Sequence, residues 1–347
     1  FQSLHPGSEY DRLYEAALCR AKADWLVGIT GTRLFSTLYR KTLNVGRVMT
    51  PTLALVVDRE AAISEFKKEK FYTVVLDCGK FTASSERCEN RKAADHLSAA
   101  CSTQAAVVKQ VEKKQKSAQP PKLYDLTALQ RDANRIYGYT AQQTLDYAQT
   151  LYEKKLATYP RTDSRFLTHD LRDRLPALIE CVAQVLPFAS GLPLAVHTQQ
   201  VIRDEKVSDH HAIIPTTAFA GSGFDGLPES EKKLMSLVCC KLLCASAEPY
   251  VYEAVAATFD CGGYSFTAKG KRILSEGWRE IDRIFRASLK ERPADEDGGT
   301  LPDFTEGQTF DGAEVSVTEH FTQPPKPYTD VIFCERKEWI GIEERSS

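Results

Sequence analysis

The chain opens on a helical pattern. Leu13, Ala17, Ala21 and Trp25 recur at four-residue steps, which places them along one helical face. Ser8 with Asp11 resembles a capping box ahead of that face, and Gly28 is a stop signal behind it. A second short apolar helix is expected around 32–38. In GRVMTPTLALVVDREAAISEF a turn leads into a helix opening at Pro51, a favoured first-turn position. The pattern then switches to the strand period. FYTVVLDCGKFTASSERC alternates around a Cys-Gly-Lys turn and predicts a β-hairpin. AAVVKQVEKKQKS predicts another strand, and the two prolines of SAQPPKLYDL mark a boundary.

Residues 125–247 return to the helical period. Leu129, Ala133 and Ile136 share a face that Gly138 ends. Thr140 and Gln143 form a capping box for a helix whose face is Ala141, Leu145, Ala148 and Tyr152. The stretch LATYP breaks that helix, and further helices are expected near 168–186 and 229–246. YVYEAVAATFDCGGYSFTAKGKRILSEGW then alternates again around a Gly-Gly turn. Strand-rich segments thus bracket a helical block. The expected organisation is one β domain built from two distant segments, with the helical block inserted between them.

Composition narrows the function classes. A chain of 347 residues with 42% hydrophobic residues has material for a large core and roughly two or three domains. The formal net charge is -2, so bulk charge does not point to nucleic acid, and a DNA site would have to be a local basic groove. No apolar run approaches the roughly 20 residues of a spanning helix. The ten cysteines include no Cys-x-x-Cys pair. They read as reduced, mostly buried thiols of an intracellular protein, not as zinc ligands. Phe1 stands where a start methionine would, and the chain reads as a piece of something longer.

Three clusters carry chemistry. In LATYPRTDSRFL, residues 156–167, Pro160 biases Tyr159 to an extended backbone. Arg161 lies two positions on, and in an extended run such positions face one side. A phenol and a planar guanidinium can then address one phosphate. A phenol is a poor nucleophile at neutral pH, and nearby cations favour its phenolate. Attack on phosphorus would give a phosphotyrosine ester, a covalent intermediate. The same residues also read as a packed aromatic beside a surface salt-bridge partner. In VSDHHAIIPT, residues 207–216, two histidines precede an apolar run; one of them can touch a phosphate, or both can be structural. In NVGRVMTP a Gly-Arg turn meets a helix start, which suits a phosphate or is a plain cap.

Taken together, ADWLVGITGTRLFS, GRVMTPTLALVVDRE, KLYDLTALQRDANRIYGYTAQQTLDYAQTLYEKKLATYPRTDSR and DHHAIIPTT resemble the type IA DNA topoisomerases in order and spacing, most closely the bacterial topoisomerase III branch. The resemblance runs from about residue 5 to 329. It implies a multidomain α and β fold, a toroidal body with a helical tyrosine domain inserted into a strand-rich arch. The implied domains are 1–60 and 319–347 in a helical groove domain, 61–120 and 248–318 in the arch, and 121–247 in the helical domain. It also implies an ATP-independent isomerase. Tyr159 cuts one DNA strand and holds its 5′-phosphate, Arg161 steadies the scissile phosphate, and His210 is the active-site histidine, with His211 the alternative. Arg33, Arg47 and Thr50 match positions along a single-strand groove, and Asp163 is a lesser contact. The implied partner is single-stranded DNA, and the implied location is cytoplasmic and DNA-associated.

Three departures temper the resemblance. The acidic Toprim domain that supplies a glutamate and holds Mg²⁺ in the family is not in this sequence, so the chain by itself is expected to bind no metal and not to relax DNA. A dead single-strand-binding remnant is therefore a second reading. After TQPPKPYTD the sequence leaves the family pattern and reads VIFCERKEWIGIEERSS. Met49 stands where the family usually has glutamine, and a thioether cannot make an amide's hydrogen bonds.

Overall fold

The computed structural model describes residues 6–189, 196–289 and 301–328. The altered ending, 331–347, lies outside them. The chain divides into two compact units, Phe1–Lys68 with Gln323–Ser347, and Glu69–Thr322.

The first unit is built on two helices, α1 (Asp11–Tyr39) and α2 (Met49–Ser64). The expected stop at Gly28 does not occur. The helix runs through Gly28 and Gly31 and ends at Arg40, which is left-handed with φ 50°. The reason is steric: a Cβ on Gly31 would stand 2.9 Å from Val45 Cγ1, so the glycine gives the returning loop room. Thr32 Oγ1 accepts from Val45 N and Ser36 Oγ from Leu43 N, both at 2.9 Å, which pins that loop to two successive turns of α1. The helix expected at 32–38 is therefore the second half of α1. Ser8 does not cap either: it lies in a 3₁₀ turn (Gly7–Tyr10) and no side chain caps α1. On the apolar face that the four-residue steps mark out, Leu13 and Trp25 are 68% and 62% exposed. Pro51 falls in the first turn of α2, as expected. Arg59 ties in residues 323–328 by donating to Lys326 O at 2.9 Å and lying 4.4 Å over the Tyr328 ring.

The second unit joins a sheet to a helical block. The strands are β1 (Lys70–Asp77), β2 (Thr82–Ser85), β3 (Ala106–Ala118), β4 (Tyr250–Cys261), β5 (Tyr264–Ser275), β6 (Thr309–Phe310) and β7 (Glu314–Phe321). They form one antiparallel sheet in the order β6-β3-β4-β5-β2-β1-β7. The two distant β segments therefore make a single sheet, as the alternating pattern predicts. The β4–β5 turn uses Gly262 and Gly263 at φ 59° and 85°, the twist a two-residue hairpin needs. One helix in this part was not legible: α3 (Arg91–Cys101), capped by Asn90, whose Oδ1 accepts from Ala93 N at 2.9 Å. It lies against β1 and β7. Val74, Leu76, Phe81, Phe259 and Phe266 fill the sheet core with Cys101 and Cys261.

The helical block contains α4 (Leu126–Tyr137), α5 (Ala141–Glu153), α6 (Leu175–Val185), α7 (Thr217–Ser222) and α8 (Glu229–Ala245). Gly138 ends α4 with φ 70°, and the Thr140–Gln143 box opens α5 with both reciprocal hydrogen bonds present. The inward face of α5 is rotated from expectation. Thr144, Ala148 and Leu151 are buried, while Ala141 and Tyr152 are exposed. Burying Thr144 on that face is possible because its hydroxyl bonds back to Thr140 O at 3.0 Å. The helix expected at 168–186 starts only at Leu175, after a 3₁₀ turn. A last helix, α9 (Trp278–Ser288), follows β5 and sends Ile281 and Phe285 into the helical core. Of the nine described cysteines, five are buried and Cys19 and Cys181 are exposed.

Candidate active site

The tyrosine segment begins where α5 ends. Lys155 turns the chain with φ 60°, and Thr216 N then donates to Leu156 O at 2.9 Å. Ala157 bridges Pro215, and Thr158 N donates to Ile214 O at 3.0 Å. The segment before Tyr159 is thus laid antiparallel to the run after the two histidines. Threonines lock the pairing. Thr158 Oγ1 donates to Ala212 O and accepts from Ile214 N, both at 3.0 Å. Thr162 Oγ1 donates to His210 O at 2.7 Å and accepts from Ser164 N at 3.1 Å. Thr162 is 8% exposed, so these bonds form away from water, where an unmade bond is expensive.

This zipper brings Tyr159 to His210. Their ring centroids are 4.5 Å apart with planes tilted by 52°. Tyr152 meets Tyr159 from the other direction, edge-on at 5.2 Å. It is 40% exposed, because the rotated face of α5 releases it from the core. The four-residue period puts Tyr152 on the same face as Ala148, and only the helix phase set by Thr144 places it here. The backbone between Tyr159 and Arg161 is not a plain extended run. Thr162 N donates to Pro160 O at 3.0 Å, a three-residue turn centred on Arg161. Arg161 is exposed on that turn and has no ion-pair partner among the described residues. His211 differs from His210: it is half-buried, and its Nδ1 is 2.8 Å from Ala212 O.

The remaining residues fall in two places. Asp163 lies one residue past Thr162 and accepts from Ser208 Oγ at 3.1 Å. Close by, Phe166 carries two cations, with Lys122 Nζ 5.5 Å and Lys206 Nζ 5.2 Å from its ring centre. Arg165 stands 2.8 Å from Asp125, close enough for an ion pair although its Nε–H is not aligned for a hydrogen bond. Arg33, Arg47 and Thr50 belong to the first unit, and all three are exposed. Arg47 is paired with Asp24, and Thr50 Oγ1 accepts from Gly46 N at 3.1 Å.

Among the described residues no group of three or more His, Cys, Asp or Glu side chains is arranged to hold a metal ion. A hard cation such as Mg²⁺ needs several carboxylate oxygens, and the tyrosine site offers Asp163, already bonded to Ser208, and Asp209 beside His210, which form no such group. The residues present therefore do not fit the cation that the sequence resemblance implies. No described helix is long and apolar enough to cross a membrane.

A half-buried tyrosine held against an exposed histidine, with an arginine unpaired among the described residues on the adjoining turn, is an arrangement suited to phosphoryl transfer. Residues 8–335 match the family model described as DNA topoisomerase, and the chain belongs to that family, in its type IA class. Its sequence is similar to curated relatives called DNA topoisomerase 3. The protein of Bacillus licheniformis is 36% identical over 347 residues, covering 95% of this chain and 46% of the relative. That of Bacillus subtilis strain 168 is 36% identical over 343 residues, with the same coverage. The chain thus spans about half the length of the curated relatives it matches. Its fold is also similar to full-length topoisomerase I from Thermotoga maritima, with a TM-score of 0.74 and 24% identity over 94% of this chain and 54% of that one.

Proposed function

We propose that this chain is the strand-cutting body of a type IA topoisomerase, with Tyr159 as the nucleophile. The phenolic oxygen attacks a backbone phosphorus, and a new O–P bond forms as the bond to the 3′-oxygen breaks. The phenol gives up its proton, and the leaving 3′-oxygen takes one up as a hydroxyl. The 5′-phosphate stays on the tyrosine as an ester that preserves the bond for resealing. Another strand passes through the gap, and the 3′-hydroxyl then attacks the ester and restores the original linkage.

The observation that carries this reading is the zipper between residues 156–166 and 207–216. It holds Tyr159 against His210 and leaves Arg161 on an exposed turn with its guanidinium unpaired. An arginine so placed suits the phosphate's non-bridging oxygens, where charge accumulates as the phosphorus is attacked. His210 is placed to contact the same phosphodiester or to move a proton beside the phenol. Arg33, Arg47 and Thr50 would contact the strand's backbone, Arg47 after releasing Asp24. Asp163, held by Ser208, would orient the turn. No step here runs through a cation, for which the chain offers no donor set among its described residues.

The chain alone would then not relax supercoiled DNA, and the acidic groups would come from a Toprim domain outside these residues. Bacterial relatives support a cytoplasmic, DNA-associated setting. The test is to mix the 347-residue chain with a separate Toprim fragment and a labelled single-stranded oligonucleotide in Mg²⁺. A covalent protein–DNA adduct that Tyr159→Phe abolishes is expected. Binding without any adduct would favour the second reading, a single-strand-binding remnant. Relaxation by the chain alone would overturn the dependence on Toprim.

A further inference from the structure

Within the second unit, a cleft of 1390 Å³ runs between the helical block and the sheet. That exceeds the roughly 300–1,000 Å³ of an ordinary small-molecule pocket. Its charge is what sets it apart. Eight basic and three acidic side chains line it, in a chain whose net charge is -2. Two of the acids are already engaged. Asp132 accepts from Tyr124 Oη at 2.6 Å, Lys241 Nζ at 3.0 Å and Arg135 at 3.1 Å, and Asp282 accepts from Arg286 at 2.7 Å. Glu276 is the third. Positive charge gathered in a partly enclosed, low-dielectric cleft repels itself unless an anion fills it.

The walls are regular. In the β3-β4-β5 ribbon, Lys116 pairs with Tyr252, Ala254 with Lys271, and Ala256 with Lys269. Paired residues and those two along a strand share one face, so Ala254 and Ala256 lie between Lys269 and Lys271 on β5 and Lys116, Lys114 and Glu112 on β3, the last two ion-paired with each other at 3.0 Å. Those outer strands stand about 10 Å apart, and Lys269 and Lys271 about 7 Å apart along β5. Successive phosphates of an extended strand have a similar step. Across the cleft, α9 presents Arg279, Arg283 and Arg286 at positions that share a helical face. Arg279 lies 4.5 Å over the Tyr250 ring, and Tyr250 stacks on Tyr252 at 5.1 Å. Trp278 also lines the cleft, its indole N–H spent on Ala118 O at 3.0 Å.

We propose that this cleft is a second nucleic-acid site, which holds the sugar–phosphate backbone of a strand without reading its sequence. It shares no residue with the Tyr159 turn, and it rests on the proposed function only for the choice of nucleic acid as the polyanion. Three features favour that choice over an acidic protein segment: the lysine step along β5, planar guanidinium forks suited to phosphate, and the half-buried rings of Tyr252 and Trp278 beside them; Tyr250 is itself covered.

The test is anisotropy titration of a labelled oligothymidylate of about 12 nucleotides against the full chain over a range of salt. The triple variant Lys116→Gln, Lys269→Gln, Lys271→Gln is expected to lose about 2 units of the slope of log K against log salt, about 0.7 for each contact. The matching triple Lys→Arg variant is expected to keep the slope, which separates lost charge from lost fold. Tyr159→Phe is expected to leave the slope unchanged while abolishing the covalent adduct. An unchanged slope in a folded triple Gln variant would overturn the cleft site and leave the Tyr159 reading standing. Failure of the unsubstituted chain to form the adduct with the Toprim fragment, with the slope effect intact, would do the reverse. Displacement of the oligonucleotide by polyglutamate as effectively as by inorganic polyphosphate would also overturn the proposal, in favour of a protein partner.

Discussion

The His210 ring lies against that of Tyr159, centroids 4.5 Å apart and planes tilted by 52°, because the carbonyl of that same histidine accepts the Thr162 hydroxyl at 2.7 Å. One residue is thus held by its backbone and offered by its ring. His210→Ala is expected to slow formation of the tyrosine–DNA adduct roughly 10²-fold, the usual range for a lost proton-transfer group. Strand affinity measured by anisotropy should change little. An adduct rate equal to wild type would show the histidine to be a packing neighbour only.

Thr162→Val keeps the shape of the side chain and removes the hydroxyl. The His210 carbonyl and the Ser164 N–H would each lose a partner in a buried place. A loss of about 1–3 kcal/mol is expected in urea denaturation, with a slower adduct reaction as the two loops part. Thr158→Val removes the second lock, and the two losses should add incompletely because both act on one pairing.

Acid sensitivity should concentrate at Asp132. Burial alone would raise its pKa. The Lys241 charge, hydrogen bonds from Tyr124 and Lys241, and the Arg135 charge outweigh burial and bring it to about 2, from 3.8. The folded value is the lower one, so the stabilisation is complete above about pH 4 and is lost as pH falls towards 2. The shift corresponds to about 2 kcal/mol. Denaturation midpoints compared at pH 7 and near pH 2 should fall further for the wild type than for Asp132→Asn. Equal falls would remove Asp132 from the account.

Gly277 joins β5 to α9 at φ 48°, and a Cβ there would run into the carbonyls of Pro249 and Glu248. Gly277→Ala is expected to cost about 2 kcal/mol or more, through backbone strain and that clash together. Thermal denaturation would register it. Because α9 carries three arginines of the basic cleft, the variant should weaken oligonucleotide binding as well.

Legibility in the sequence tracked how local each signal was. Gly138 and the Thr140–Gln143 box are complete within a few residues, and both ends formed where they were read. The Gly262-Gly263 turn fixes the register of β4 and β5 in the same way. Failures came where a distant contact decided the outcome. Gly28 reads as a stop, but Val45 returns against Gly28 and Gly31 and the helix continues. The phase of α5 turned on whether Thr144 could be buried, which depends on a hydroxyl bonding back to its own helix. At the site, Tyr159 and the histidine pair were visible as residue types. The threonines that join their loops were not, since nothing local marks Thr158 or Thr162 as the partner of a carbonyl about 50 positions away.

The strand pairing also bears on protein engineering. Ala118 and Tyr250, the last residue of β3 and the first of β4, are backbone neighbours in the sheet. The whole block from α4 to α8 leaves and re-enters through that one point. A two-residue turn spliced between them would close β3 and β4 into an ordinary hairpin without moving any other pairing in the ribbon. Tyr159 thus rides on a cassette with one point of attachment, and excising it calls for polar replacements at Ile281 and Phe285 of α9, which pack into its core.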